Sequence, residues 1–300
     1  MTERKPHLDT VAVITLIGCC FLWGLNQVAA KAALPEVPAL QQAAIRSAGG
    51  ALLVWAWAAW RGIRLFERDG TLPGGLVAGT LFGVEFGCIF LGLQFTTASR
   101  MVVFIYLSPF VVALGMPFIA RSERLSISQM AGLTAAFAGV AWAFAEGFTQ
   151  PAERQWIGDA LGVAAGVLWG ATTLAIRGSR LTAAAAEKTL LYQLAVSGVL
   201  LGAAAFAVGT PWPSSLSALA WSSLVFQVVI IAFASYLLWF WLMRHYPATR
   251  LASFTLLTPV FGLLMGAVLL GEPITVRLTV ALVAVALGIV LVNRRPALKS

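Results

Sequence analysis

The sequence predicts an all-α integral membrane protein, with ten transmembrane helices arranged as two inverted five-helix repeats around a central cavity. Three observations predict it. The 300 residues are 60% hydrophobic and 11% charged, whereas about a quarter of a soluble domain is charged. Apolar runs long enough to span a bilayer follow one another with short breaks, leaving no room for a separate soluble domain. The second half of the chain echoes the first.

The first run, 10–33, follows a short polar terminus with Arg4 and Lys5. It exceeds the ~7–15 apolar residues of a signal peptide, so it reads as a span. Pro35 and Pro38 introduce the second span, 38–60, and Pro73-Gly74-Gly75 the third, 74–96. The fourth, 98–120, ends at Arg121 to Arg124, and the fifth is 127–146. Pro151 separates the halves. The sixth and seventh spans are 156–178 and 186–208; Pro211 and Pro213 precede the eighth, 216–243. Pro247 precedes the ninth, 248–270, and Glu272-Pro273 the tenth, 275–293. Residues 1–150 form the first repeat and 151–300 the second, within one membrane domain.

The net charge is +8, but basic runs with interleaved aromatics are absent, so no nucleic-acid partner is expected. The basic residues set the orientation instead. Of the 20 Lys and Arg, fifteen fall on the side of the termini and four on the other: Lys31, Arg100, Arg154 and Arg277. Arg46 lies within a span. Both termini are therefore expected in the cytoplasm, with the chain in a bacterial inner membrane surrounded by lipid. Cys19, Cys20 and Cys88 sit in apolar stretches and read as core residues, not as metal ligands or a disulfide framework. A monomer is compatible with this pattern.

Residues 98–109, ASRMVVFIYLSP, align with 248–259, ATRLASFTLLTP. Ala98/Ala248, Arg100/Arg250, Phe104/Phe254, Leu107/Leu257 and Pro109/Pro259 are identical. Glu123/Glu272 and Gly139/Gly288 continue the match, and Leu22-Trp23-Gly24 pairs with Leu168-Trp169-Gly170. Five spans is an odd number, so the second copy crosses the membrane in the opposite sense. Two such halves can exchange roles on the two sides, a route to alternating access.

On these features the chain resembles the drug/metabolite transporter superfamily. The deep Trp-Gly, the Ser/Thr-Pro of the fourth helix and Gly271-Glu272-Pro273 are similar to its ten-helix EamA-type members. The first repeat departs from the pattern, with Ser122-Glu123 in place of Gly-Glu. The resemblance implies a secondary transporter, with export of amino acids, including aromatic ones, as its nearest likeness.

Glu85 is expected near mid-membrane, opposite the stripe of Gly79, Gly83 and Gly87. Intramembrane acids are functional candidates, although a hydrogen-bonded structural glutamate also fits. Arg46 is expected to pair with Glu85, to bind a substrate carboxylate, or to snorkel to the outer surface. Trp23 and Trp169 are candidates for gates or stacking walls, and plain packing also accounts for them. The belts take Trp55, Trp57, Trp60, Trp212, Trp221, Trp239 and Trp241. Pro109 and Pro259 should each kink a span and free the carbonyls of Ile105 and Thr255. Asn26, Gln27, Gln94, Tyr106, Thr172, Thr173, Gln227, Ser235, Tyr236 and Ser253 offer uncharged polar groups to a substrate path. Helix capping accounts for Glu123 and Glu272.

No Walker motif is visible, which argues against direct use of ATP. The two histidines, His7 and His245, form no metal cluster, and Gly-x-Ser-x-Gly is absent, which argues against an embedded enzyme. No cofactor is expected. An anionic substrate would want several buried cations; with Arg46 alone, a zwitterionic or neutral small molecule fits better. A facilitative uniporter or an exporter of other drugs or metabolites remains the alternative.

Overall fold

The computed structural model describes residues 9–119, 127–146, 154–246, 251, 255 and 257–293, and every regular element among them is helical. Helix α1 (Thr10–Ala33) starts where the Asp9 carboxylate accepts the Ala12 N–H at 2.9 Å, a side-chain N-cap. Pro38 sets the entry to α2 (Ala39–Trp60), and Pro73 lies in the first turn of α3 (Leu72–Gly92), where its missing N–H is not needed. Then come α4 (Ala98–Ile105), α5 (Ser108–Ile119), α6 (Ile127–Glu146) and α7 (Gln155–Arg177). Helix α8 (Ala186–Val208) stops at Gly209, whose φ of 70° suits a residue without Cβ. Helix α9 (Ala218–Val225) runs through a π-helical stretch, Phe226–Ser235, into α10 (Tyr236–His245). Helices α11 (Leu257–Leu270) and α12 (Val276–Asn293) complete the chain.

Among the described residues, six helical stretches are long and apolar enough to cross a membrane: Thr10–Ala33, Leu72–Gly92, Ala98–Ile119, Gln155–Arg177, Ala186–Val208 and Ala218–Leu242. The sequence predicted ten. Helix α2 has 22 residues, but Gln41, Gln42, Arg46 and Ser47 reduce its apolar character. Met130–Ala143, Leu257–Leu270 and Val276–Leu291 are shorter apolar helices.

The core is largely apolar, with Phe90, Leu194, Phe104 and Phe110 fully buried, and large apolar side chains also cover the outer surface, as the lipid-facing side of a membrane protein requires. Arg46 heads the large side chains that are fully buried, while Phe206 is 84% and Val199 75% exposed. Helix α2 packs on α8, and α6 on α12. Helix α1 packs on α11, while α7 packs on α4 and α5. The stripe expected on α3 faces α8: a Cβ at Gly79 would meet Val196, and one at Gly83 would meet Leu200 and Ser197.

The proline expectation changes. Pro109 and Pro259 do not interrupt continuous helices, because each lies in the first turn of a helix that begins there, α5 and α11. In the first half, Tyr106 and Leu107 separate α4 from α5, so the span is broken and not merely kinked. The carbonyls of Phe104 and Ile105 lie against Gly166 of α7, where an added Cβ would come within 2.7 and 3.0 Å of their oxygens. A glycine at that site lets the two helices approach; the Phe104 carbonyl itself accepts from the Leu107 N–H at 3.1 Å.

Candidate functional site

Gln42 and Arg46 lie one turn apart on the buried face of α2. The π-helical stretch opposite supplies Gln227 and leads into Tyr236. Gln227 Nε2 donates to Gln42 Oε1 at 2.7 Å and to Ser223 Oγ at 2.9 Å. Arg46 Nη2 donates to Tyr236 Oη at 2.7 Å, and the guanidinium carbon sits 3.9 Å from the centroid of the Phe86 ring. Glu85, next to Phe86 on α3, is 4% exposed. A stretch of π-helix is rare and often marks a functional site, because widening the turn sacrifices regular packing.

Two sequence expectations for Arg46 do not hold. It is wholly buried and does not snorkel to a surface: its guanidinium lies on the Phe86 face and donates to the Tyr236 hydroxyl. It also makes no contact ion pair with Glu85: the ion pairs among the described residues join other partners. Arg46 Nε and Nη1, Glu85 Oε2, Gln42 Nε2, Gln227 Oε1, Asn26 Oδ1 and Gln27 Oε1 are buried with no hydrogen-bond partner. Each such orphan costs about 1–3 kcal/mol, more for a charged group. Those of Gln42, Arg46 and Gln227 belong to the group just described, and Gln41 Oε1 and Thr258 Oγ1 are unpartnered as well. Arg46 and Gln227 are fully buried here.

Trp23 borders this region. Its indole N–H donates to Ser235 Oγ at 2.9 Å, and its ring meets Trp239 edge-on with centroids 5.4 Å apart. Trp239, assigned to a belt from the sequence, is half-buried and packs on Trp23. Trp169 meets Tyr106 edge-on at 5.8 Å, and Tyr106 is buried at the break between α4 and α5. Thr172 and Thr173 donate to carbonyls of their own helix, those of Leu168 and Trp169, so their hydroxyl protons are not offered to a ligand. Gln94 is exposed. Ser253 and Glu123 lie outside the described residues.

A second polar group, which sequence reasoning missed, closes one end of the bundle. Arg100 binds Asp159 through Nε and Nη2, the latter at 2.6 Å, and Glu146 through Nη1 at 2.7 Å. Thr96 also donates to Asp159, and Thr275 to Glu146. Beside them, Glu272 caps α4 and not the helix that follows it: it accepts from Ala98 N–H at 2.7 Å, Ser99 N–H at 2.9 Å and the Ser99 hydroxyl at 2.6 Å. The Lys31 ammonium donates to the carbonyls of Leu93 and Thr96. The sequence did single out Arg100 through the repeat and the charge bias, but gave no sign of its partners Asp159 and Glu146.

Among the described residues no cluster of three or more His, Cys, Asp or Glu could hold a metal ion. The arrangement is a buried polar group around Arg46 and a second, hydrogen-bonded one around Arg100.

Comparison with known proteins agrees. The profile of the EamA-like transporter family matches residues 10–145 and again 156–294. The chain is 28% identical over 301 residues to the uncharacterized transporter YvbV of Bacillus subtilis, covering 98% of this chain and 94% of that one. It is 27% identical over 327 residues to an uncharacterized transporter of Synechocystis sp., covering 99% and 94%. A solved crystal structure shares the fold with a TM-score of 0.64 at 19% identity, covering 95% of this chain and 98% of the other. Two matches that together take in nearly the whole chain leave one conclusion: this protein belongs to the EamA-like transporter family.

Proposed function

We propose that this membrane transporter is a secondary exporter of small amphipathic metabolites, working by alternating access between two inverted five-helix repeats. Amino acids, including aromatic ones, are the first substrate class to test, with a zwitterionic or neutral molecule as cargo. On this reading the ten spans lie in a bacterial inner membrane, both termini face the cytoplasm and no cofactor takes part. A facilitative uniporter is the second reading, and the two share every structural element.

One observation carries the proposal: the packing of one half recurs in the other with the partners exchanged. Gly24 of α1 lies so close to α11 that an added Cβ would sit 2.7 Å from the Gly262 nitrogen and 3.0 Å from Phe261. Gly170 of α7 lies in the same way on α5, with Val111 at 2.5 Å and the Ser108 carbonyl at 3.0 Å. Gly24 and Gly170 are aligned by the sequence repeat, and so are Phe261 and Val111. Two halves with the same packing solution can trade roles, each closing one side in turn. The doubled family match supports the same division. In the proposed orientation the Arg100 group lies at the outer end, so the present conformation is closed outward.

The test is counterflow in proteoliposomes preloaded with members of an amino-acid panel. Exchange of labelled substrate for at least one member is the expected result. No exchange with any member, in vesicles shown to contain folded protein, overturns the substrate class.

A further inference from the structure

We propose that Arg46 and Glu85 are the two poles of a binding site for a small zwitterion, Arg46 taking its carboxylate and Glu85 its ammonium. The inference rests on the transport reading and adds the chemical class and the residues.

Depth is the first support. Arg46 is seven residues inside the start of α2, and Glu85 seven residues before the end of α3. Helices α2 and α3 are antiparallel neighbours, so these ends lie at the same side of the bundle. At 1.5 Å per residue both groups stand about 10 Å beneath it. A guanidinium and a carboxyl group at one depth, in one interior, would ordinarily close on each other. Here they do not: Arg46 gives one nitrogen to Tyr236 and its face to Phe86, and keeps Nε and Nη1 without an acceptor. Glu85 keeps Oε2 without a donor.

The vacancies are complementary to one kind of molecule. A guanidinium holds its charge at any physiological pH and directs planar N–H groups at a carboxylate. A buried carboxylate oxygen accepts from an ammonium. A cation alone would leave Arg46 orphaned, and an anion alone would leave Glu85 so. The Phe86 ring, next in sequence to Glu85, and the half-buried Tyr236 ring border Arg46, their centroids 3.9 and 5.6 Å from its guanidinium carbon, and offer apolar surface to the body of the ligand. Gln42 Nε2 and Gln227 Oε1, also unpartnered, lie one turn from Arg46 and on the facing π-helical stretch. They extend the same polar wall. With Arg46 fully buried, entry requires α2 and the π-helical stretch to part, which is the motion alternating access supplies.

The experiment compares an aromatic zwitterion with two blocked forms of it, the N-acetyl and the methyl ester, as competitors of counterflow by the full-length protein in proteoliposomes. In the wild type each blocked form should compete about ten- to hundredfold less well, the loss expected for one charge-assisted hydrogen bond. Arg46→Gln should remove the preference over the ester and keep that over the N-acetyl form; Glu85→Gln should do the reverse. Wild-type competition by blocked forms equal to that of the zwitterion overturns the proposal without needing any variant to fold. Variants that keep both preferences overturn it too, while counterflow itself leaves the transport reading standing. Absence of exchange or binding by any form in the wild type overturns both.

Discussion

Trp23 and Ser235 stand 212 residues apart in sequence and are joined by one hydrogen bond, from the indole N–H to the hydroxyl oxygen. The same hydroxyl donates to the Ile231 carbonyl on its own helix at 2.7 Å. Serine therefore acts as a relay that ties α1 to the end of the π-helical stretch. If Trp23 and Trp169 gate opposite sides, cysteine placed at each, in a background without Cys19, Cys20 and Cys88, should change its labelling in opposite directions when substrate is added. Two sites that stay unlabelled under both conditions would return these rings to plain packing.

Pro109→Ala and Pro259→Ala should leave the protein folded, since a first-turn proline replaces an N–H that needs no helical partner. Alanine at 109, however, permits α4 and α5 to fuse across Tyr106. Counterflow should fall severalfold in each variant. Full activity in both would separate the helix break from transport.

Arg100→Leu should destabilise the protein by about 3–5 kcal/mol, because Asp159 and Glu146 would stay buried without their cation. Thermal unfolding in detergent measures this. Adding Asp159→Asn should restore part of the loss; a wild-type melting curve for the single variant would show that the group is not structural.

Asp69 provides a pH test. Its carboxylate accepts from the Lys188 ammonium at 2.8 Å and from the Thr71 hydroxyl at 2.6 Å, and these bonds hold its pKa below the ordinary carboxylate range. A depressed folded value means stabilisation that is complete above the unfolded pKa, about 3.9, and lost as pH falls through the lower folded one. The difference in melting temperature between wild type and Asp69→Asn should therefore be flat from pH 5 to pH 8 and shrink only in acid. A difference that varies between pH 6 and pH 8 would assign it to another group.

Single cysteines at Ser300 and Ser214 test orientation. Ser300 should label only from the cytoplasmic side and Ser214 only from outside; the reverse would invert the topology.

The helical, membrane-embedded class was legible because apolar runs and Lys/Arg bias are local features. So was Arg46, a lone cation inside an apolar run. Its neighbours were not. Gln42 was passed over although it sits one turn away. The stretch from Phe226 to Ser235 carries no residue pattern that distinguishes a π-helix from an α-helix. Trp239 looks like a belt residue until the fold sets it on Trp23. The Arg100 group joins residues 46 and 59 positions away, and pairings at such range are set by tertiary packing.

The capping of α4 has a consequence for biogenesis. Its first four N–H groups are all satisfied: Arg100 and Met101 by Thr97, but Ala98 and Ser99 by Glu272. The carboxylate that completes this helix is translated more than 170 residues after it. Until then two backbone donors at the start of a nascent span lack their native partner. The amino-terminal half should thus leave the ribosome as an unfinished unit. A gene split near residue 150 should yield stable protein only when both fragments are made in the same cell.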